Sequence, residues 1–220
     1  MSEGAEGTTT KPEPFDVEKF FGATLLTKPK VSKPTSELLK DKELLALYFS
    51  ASWCPPCRQF SPWLKKFYET HGQSAKLEII YVSSDRTIPS FEDYYKTMPW
   101  LAVPSEKGSA PIKQKLANTF GIMGIPALMI MDAKTGEFIS GTGREEVSNV
   151  NDDAAKGKAV IEQWKSAERK PLSEAAGVVA SQGWVMKIVM YFARNPMFLF
   201  GLLYLYKYAK KKIMGEGQEL

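Results

Sequence analysis

Three apolar runs stand out along the chain, and each has the length of a strand. The residues at 44–50 and 77–83 are almost continuously apolar, and a third run follows at 127–131. Runs of this kind are typical of strands that are buried on both faces, as in the centre of a mostly parallel sheet. A shorter apolar run at 23–27 predicts a further strand, which would be the first of the chain.

Between these runs, apolar residues recur at helical spacing, which predicts helices. Segments with this pattern lie at 55–70, 88–98 and 112–120. In the first of them, one apolar face is formed by Phe60, Trp63, Leu64 and Phe67. Pro62 lies inside that segment, where we expect it to kink the helix. A last helix is predicted to run to Trp164, with Asp152 or Asp153 as its N-cap.

The order of these elements indicates the fold class. The sequence DAKTG at 132–136 is a hairpin signal, so residues 137–140 are predicted to pair back on the third core strand. Prolines at positions 29 and 34 are expected to interrupt the chain after the first strand. Strands and helices alternate, and a two-stranded meander and a helix come last. This order predicts an α/β fold with a central mixed sheet flanked by helices.

The composition argues against several classes of function. The chain has 220 residues, two cysteines, one histidine and a formal net charge of +4. That charge is too small and too evenly mixed to indicate nucleic-acid binding. Two cysteines and His71 are too few ligands for structural zinc, so no metal site is expected. Residues 1–14 lack the pattern of a secretory signal and carry acids, so we expect a disordered start and a reducing, cytosol-like compartment.

The two cysteines lie together at a predicted strand-to-helix junction, in the sequence FSASWCPPCR at 49–58. A C-x-x-C in this position is typical of thiol–disulfide exchange. Cys54 would precede the helix, whose free N–H groups and dipole stabilise a thiolate, and Pro55 suits the first turn. We therefore predict that Cys54 attacks a substrate disulfide and that Cys57, more buried, resolves the mixed disulfide.

Two neighbours of the cysteines have alternative interpretations. Trp53 is either a core aromatic or a partly exposed ring that shields Cys54 and contacts substrate. We favour the exposed ring, because small polar residues surround it in the sequence. Arg58 either stabilises the thiolate and meets an anionic substrate or is a solvated charge on the helix surface, and the sequence does not decide between these.

Several segments together resemble the tryparedoxins, thioredoxin-like proteins of trypanosomatids. They are the hexapeptide WCPPCR at 53–58, the segment DYYKTMPWLA at 93–102 and the pair Ile125-Pro126. Nucleoredoxins share WCPPC, so the wider combination carries the resemblance, which spans about 15–144. It implies a thioredoxin-like fold in which the bond before Pro126 is cis and faces the cysteines. Ile125 would then offer its backbone to an extended substrate.

The resemblance also implies a role for each matching residue. Cys54 is the nucleophile and Cys57 the resolving thiol. Five further residues are implied to line the site: Trp53, Arg58, Ile125, Pro126 and Arg144, the last near the bound dithiol. Electrons are implied to come from an external dithiol such as trypanothione or glutathione and to pass to peroxiredoxin-type peroxidases and ribonucleotide reductase. The redox-active disulfide itself is the only redox group implied, with no other cofactor.

One segment departs from the tryparedoxin pattern. Where that family usually has Trp-Asp-Glu after the second core strand, this chain has Ser84, Asp85 and Arg86. The family's acid faces the cationic polyamine of trypanothione, so we expect Arg86 to repel that part of the donor. Asp85 has two interpretations: a buried acid that accepts a proton, or a residue that caps or fixes the loop.

The C-terminal part is organised differently. We place the catalytic domain at 15–165, a polar linker at 166–183, a hydrophobic segment at 184–209 and a basic, polar tail at 210–220. The hydrophobic segment approaches the roughly 20 apolar residues of a membrane span, although Arg194 interrupts it. We expect a membrane-anchor helix. An interfacial amphipathic anchor and a partner-binding helix are the alternatives.

These features leave two hypotheses for the function. In the first, the protein is a thiol–disulfide oxidoreductase that reduces protein disulfides at a membrane surface. The hydrophobic segment near the basic end resembles tail-anchored proteins of the mitochondrial outer membrane, with the endoplasmic reticulum as the alternative and the catalytic domain facing the cytosol. In the second, the domain is a membrane-tethered adaptor or a redox-sensing binding module.

Overall fold

The computed structural model of the protein describes residues 15–176, which build a seven-stranded mixed sheet with helices against it. The strands in chain order are β1 (Thr24–Thr27), β2 (Val31–Pro34), β3 (Leu44–Ser50), β4 (Leu77–Ser83), β5 (Leu101–Ala102), β6 (Ala127–Asp132) and β7 (Phe138–Ser140). Across the sheet their order is β2-β1-β5-β4-β3-β6-β7. The pairing of β3 is parallel with β4 and antiparallel with β6. The predicted central mixed sheet is therefore confirmed.

Helices flank this sheet on the segments that the apolar spacing indicated, with additions. They are α1 (Val17–Phe21), α2 (Thr35–Leu39), α3 (Pro55–Ala75), α4 (Ile88–Tyr95), α5 (Ala110–Thr119), α6 (Gly143–Ser148) and α7 (Ala154–Ser166). Asp153 caps α7 by accepting from the backbone N–H groups of Ala155 and Lys156. Helix α3 continues past Pro62 as one helix to Ala75. The short α6 was not predicted.

The core lies where the long apolar runs predicted it. Every residue of β3 and β4 is buried, since each strand has neighbours on both edges and helices over the sheet. Behind β4, the rings of Tyr81, Phe91 and Tyr95 stack on one another. On α3 the predicted apolar face is buried except for Trp63, which is 55% exposed. The prediction for that residue was wrong.

The register of the sheet assembles one edge from three distant parts of the chain. Phe49, near the end of β3, pairs with Val82 of β4 on one side and with Ala127 of β6 on the other. The loops that follow β3 and β4 therefore emerge side by side. Because β6 is antiparallel to β3, the residues just before β6 arrive at the same edge, which is where a parallel α/β sheet presents its functional loops.

Several predictions fall outside residues 15–176. These are the disordered start at 1–14, the last part of the linker (177–183), the hydrophobic segment at 184–209 and the polar tail at 210–220. Within the described range, no helix combines the length and the apolar character that a membrane crossing requires.

Candidate active site

Cys54 and Cys57 form a disulfide at the start of α3, with their Cα atoms 5.2 Å apart. The side chain of Cys54 is the N-cap of the helix and accepts a hydrogen bond from the backbone N–H of Cys57 at 3.3 Å. Pro55 occupies the first turn. Cys54 is 4% exposed and Cys57 is fully buried. Cys54 therefore lies before the helix and Cys57 inside it, as predicted. In the reduced protein, the free N–H groups of the helix start would stabilise a thiolate at Cys54.

The bond between Ile125 and Pro126 is cis, as predicted. The carbonyl oxygen of Ile125 lies 3.7 Å from Cys54 Sγ, and the Ile125 side chain packs against the small buried cluster that holds both cysteines. The pair therefore forms the wall of the site opposite the helix, and Ile125 has backbone groups beside the reactive sulfur. A second cis bond, between Lys28 and Pro29, was not predicted.

Trp53 takes the exposed position that we favoured. Its side chain is 53% exposed, and its Nε1 donates a hydrogen bond to the carbonyl of Ser84 at 3.2 Å. The ring is therefore held beside Cys54 by the loop that follows β4, while one part of it faces solvent. A ring fixed in this way is available to contact a substrate.

Asp85 ties the loop before Cys54 to the end of β4. One carboxylate oxygen accepts from the backbone N–H of Ser52 at 2.8 Å and from its hydroxyl at 2.7 Å. The other oxygen accepts from the hydroxyls of Tyr81 and Ser83, both at 2.8 Å. With four donors on its two oxygens, Asp85 fixes the loop that carries Trp53 and Cys54. Of the two interpretations of Asp85, the geometry supports the structural one.

A cluster of buried hydroxyls, which was not predicted, lies under Cys57. The hydroxyls of Tyr48, Ser50, Ser61 and Tyr94 contact one another at 2.6–3.3 Å. Tyr48 and Ser61 also donate to the carbonyl of Cys57, at 3.3 and 3.1 Å. Burial raises the pKa of Tyr48, which keeps its hydroxyl protonated. The signal in the sequence was the spacing: Tyr48 and Ser50 share one face of β3, and Ser61 is one turn after Cys57 on α3.

Arg58 and Arg144, the two arginines predicted to line the site, lie on different helices, α3 and α6. Arg58 is exposed, and its Nη1 donates to the carbonyl of Ser52 at 2.6 Å, so that it braces the cysteine loop. Arg144 is exposed at the start of α6. This helix lies close to β6, since a Cβ atom on Gly143 would stand 2.8 Å from the carbonyl oxygen of Leu128. Neither arginine forms an ion pair with another residue in the range 15–176.

A groove of about 550 Å³ opens beside the disulfide loop, between the loop after β4 and helix α5. Arg86 and Lys113 contribute its cationic side chains, and Asp85 and Glu106 its acids. Lys113 is half-buried, and its Nζ donates to Ser105 Oγ at 3.1 Å. Burial lowers the pKa of Lys113, and the nearby Asp85 opposes that effect. A role for Arg86 was expected from the sequence, whereas Lys113 and the groove were not predicted.

Metal-binding side chains do not cluster in the part of the chain that the structure describes. No group of three or more His, Cys, Asp or Glu residues there could hold a metal ion.

Known proteins are similar to this chain in sequence and in structure. The family model described as thioredoxin-like matches residues 41–138. A tryparedoxin of Trypanosoma brucei brucei is 44% identical over 108 residues, which are 49% of this chain and 74% of the relative. A nucleoredoxin of Bos taurus is 43% identical over 109 residues, or 49% of this chain and 24% of the nucleoredoxin. A structure of tryparedoxin II complexed with glutathionylspermidine has 33% identity and a TM-score of 0.56, covering 62% of this chain and 96% of that one.

These similarities agree with the α/β fold and with the cysteine pair at the start of α3. The tryparedoxin is matched over most of its length, whereas this chain spans about a quarter of the bovine nucleoredoxin. The chain therefore belongs to the thioredoxin-like family, and it is a thiol–disulfide oxidoreductase that works through the redox-active disulfide of Cys54 and Cys57.

Proposed function

We propose that this protein reduces disulfide bonds of other proteins by a dithiol cycle. The observation that carries the proposal is the placement of Cys54: it caps the helix, is the less buried of the two cysteines and lies against the carbonyl of Ile125. The Cys54 thiolate attacks one sulfur of a client disulfide, and the other client sulfur leaves as a thiolate. Cys57 then attacks Cys54, which releases the reduced client and leaves the Cys54–Cys57 disulfide.

The clients that we propose are peroxiredoxin-type proteins, and the electrons come from a low-molecular-weight thiol or dithiol. Support for this comes from the resemblance to the tryparedoxins and from the tryparedoxin II that binds glutathionylspermidine. Two donor thiols, or one dithiol, return the disulfide to its reduced form and leave as the donor disulfide, so that two electrons pass through each cycle.

The test is reduction of insulin and of a purified peroxiredoxin, with dithiothreitol as the electron source. We expect wild type to turn over, Cys54→Ser to be inactive, and Cys57→Ser, reduced and then freed of dithiothreitol, to accumulate a mixed disulfide with the client. The two serine variants are matched controls for each other, since each removes one sulfur from the same site. Absence of turnover in wild type would overturn the reductase proposal. Client binding that persists in Cys54→Ser without turnover would favour the adaptor instead.

We further propose that residues 184–209 hold the catalytic domain at the cytosolic face of a membrane, with the mitochondrial outer membrane favoured over the endoplasmic reticulum. Support comes from the apolar sequence of that segment and from the lysines that follow it. The full chain is expected to stay with membranes in alkaline carbonate, while a variant that ends at residue 176 is released. Release of the full chain by carbonate would refute a span, and release by high salt would also refute an interfacial anchor.

A further inference from the structure

We propose that the groove beside the disulfide binds a carboxylate of the electron donor, so that the enzyme prefers thiols that carry a carboxylate over uncharged ones. The inference rests on the proposed reductase function and assigns a substrate class to the same site. Its basis is the groove of about 550 Å³ between the loop after β4 and helix α5.

The groove and the disulfide share a wall. Ser84 and Asp85 line the groove, and both also hold the cysteine loop. The carbonyl of Ser84 accepts the hydrogen bond of Trp53, and the carboxylate of Asp85 accepts two hydrogen bonds from Ser52. Trp53 and Ser52 immediately precede Cys54, so the groove is bounded by residues that contact the loop carrying the reactive sulfur.

The charges that remain available in the groove are Arg86, Lys113 and one acid, the exposed Glu106, so that the cations outnumber the free acids. Arg86 is exposed, and neither it nor Lys113 has an ion-pair partner among residues 15–176. The nearest acid, Asp85, already accepts from four donors on Ser52, Tyr81 and Ser83. Its oxygens are therefore poor partners for an incoming cation. An arginine and a lysine without partners in one groove favour a carboxylate, which can accept hydrogen bonds from both.

Half-burial of Lys113 strengthens this preference. Its Nζ keeps one hydrogen bond, to Ser105 Oγ, and therefore has donor capacity left for a ligand. Burial makes the charge of Lys113 less favourable, and Asp85 compensates only part of that cost, as the lowered pKa of Lys113 indicates. A bound carboxylate would relieve that cost.

The reaction that uses the groove is reduction of the enzyme disulfide. The donor thiolate attacks Cys54 Sγ, a donor–Cys54 disulfide forms and Cys57 leaves as a thiolate. A second donor thiolate attacks the donor sulfur of that mixed disulfide, which releases the donor disulfide and leaves Cys54 as a thiolate. The donor carboxylate contacts Arg86 and Lys113 during the first attack.

The experiment compares glutathione with glutathione diethyl ester as reductants of the oxidised full-length protein. The ester keeps the thiol and lacks both carboxylate charges. The rate constant for each is measured by alkylation of the new thiols and mass spectrometry, and the glutathione-to-ester ratio is compared among wild type, Arg86→Gln and Lys113→Gln. A ratio cancels differences in intrinsic thiol reactivity between the two reagents. Lys158→Gln is the control, because Lys158 is an exposed cation on α7 that does not line the groove.

We expect each groove variant to lower the ratio about two- to fivefold, which is the range for one exposed charge pair, and the double variant to lower it further. Lys158→Gln should leave it unchanged. The effect should shrink in high salt, because the pairs are partly exposed. Equal ratios in wild type and in the groove variants would overturn the inference.

Dithiothreitol separates failure of this inference from failure of the proposed function. It carries no charge, so it should reduce wild type and all of these variants at similar rates. If dithiothreitol supports insulin reduction but the glutathione ratios are equal, only the carboxylate inference fails. If no reductant supports insulin reduction, the reductase function fails as well.

Discussion

Removal of the Asp85 carboxylate should loosen the loop that carries the active-site cysteine. In Asp85→Ala, four donors lose their acceptor at once: the N–H and hydroxyl of Ser52 and the hydroxyls of Tyr81 and Ser83. Tyr81 is fully buried and Ser83 is 5% exposed, so water does not readily replace the acceptor for these two. Hydrogen bonds to a charged group contribute about 1.5–3 kcal/mol each. Taking the lower value for the two buried donors gives a loss of about 3 kcal/mol.

The measurement is urea unfolding followed by circular dichroism on the oxidised domain, together with the rate of disulfide reduction by dithiothreitol. For a chain of this size, 3 kcal/mol corresponds to a fall in Tm of about 6–12 °C. Asp85→Asn should lose less, because its amide oxygen still accepts from Ser52. Asp93→Asn is the control, since Asp93 is exposed and pairs only with the neighbouring Lys96. If Asp85→Ala is no less stable than this control, Asp85 does not hold the loop.

Three further predictions concern other parts of the domain. Tyr48→Phe removes one hydroxyl from the buried cluster under Cys57. We expect the free energy of unfolding in urea to fall by about 1–2 kcal/mol and Cys57 to resolve the mixed disulfide more slowly. Unchanged values of both quantities would contradict this prediction. Gly143→Ala should destabilise by about 1–3 kcal/mol although alanine favours helices, because its Cβ would approach the Leu128 carbonyl to 2.8 Å; a stabilised variant would show that α6 shifts freely. Hydrogen bonds from Lys76 and Lys165 lower the pKa of Glu43 from 4.5 to about 2. The stability advantage of wild type over Glu43→Gln should therefore be present above pH 4.5 and disappear as the pH falls towards 2. An advantage that does not change with pH would refute the ion-pair explanation.

The sequence was sufficient for the elements whose signal is local. Long apolar runs predicted β3, β4 and β6, because strands buried on both faces need apolar residues at every position. The cysteine spacing predicted the helix start, since a proline at the first turn and a cap before it are short-range features. The cis bond at Pro126 followed from the resemblance, and the structure agrees.

Features that depend on packing were not predicted. The strand β2 was missed because Pro29 and Pro34 indicated an interruption, although an edge strand tolerates proline where its N–H would face away from the sheet. Trp63 has the spacing of a core residue but is more than half exposed, since a helix that packs on one side buries a narrower face than its apolar residues cover. Lys113 and Arg86 lie far apart in the sequence, and only the folded chain brings both to the lining of one groove.

The disulfide of this enzyme closes a loop with a sequence separation of only three residues. In the chain-entropy account of cross-links, so short a loop constrains the unfolded chain by about 2 kcal/mol, against about 4.7 kcal/mol for a loop of 100 residues. The sheet and its buried strands therefore hold the fold in both redox states. Each turnover breaks and remakes the only cross-link that this chain's two cysteines can form, while most of the folding free energy is left unchanged. A catalyst built on a longer cross-link would lose a larger share of its stability each time it was reduced.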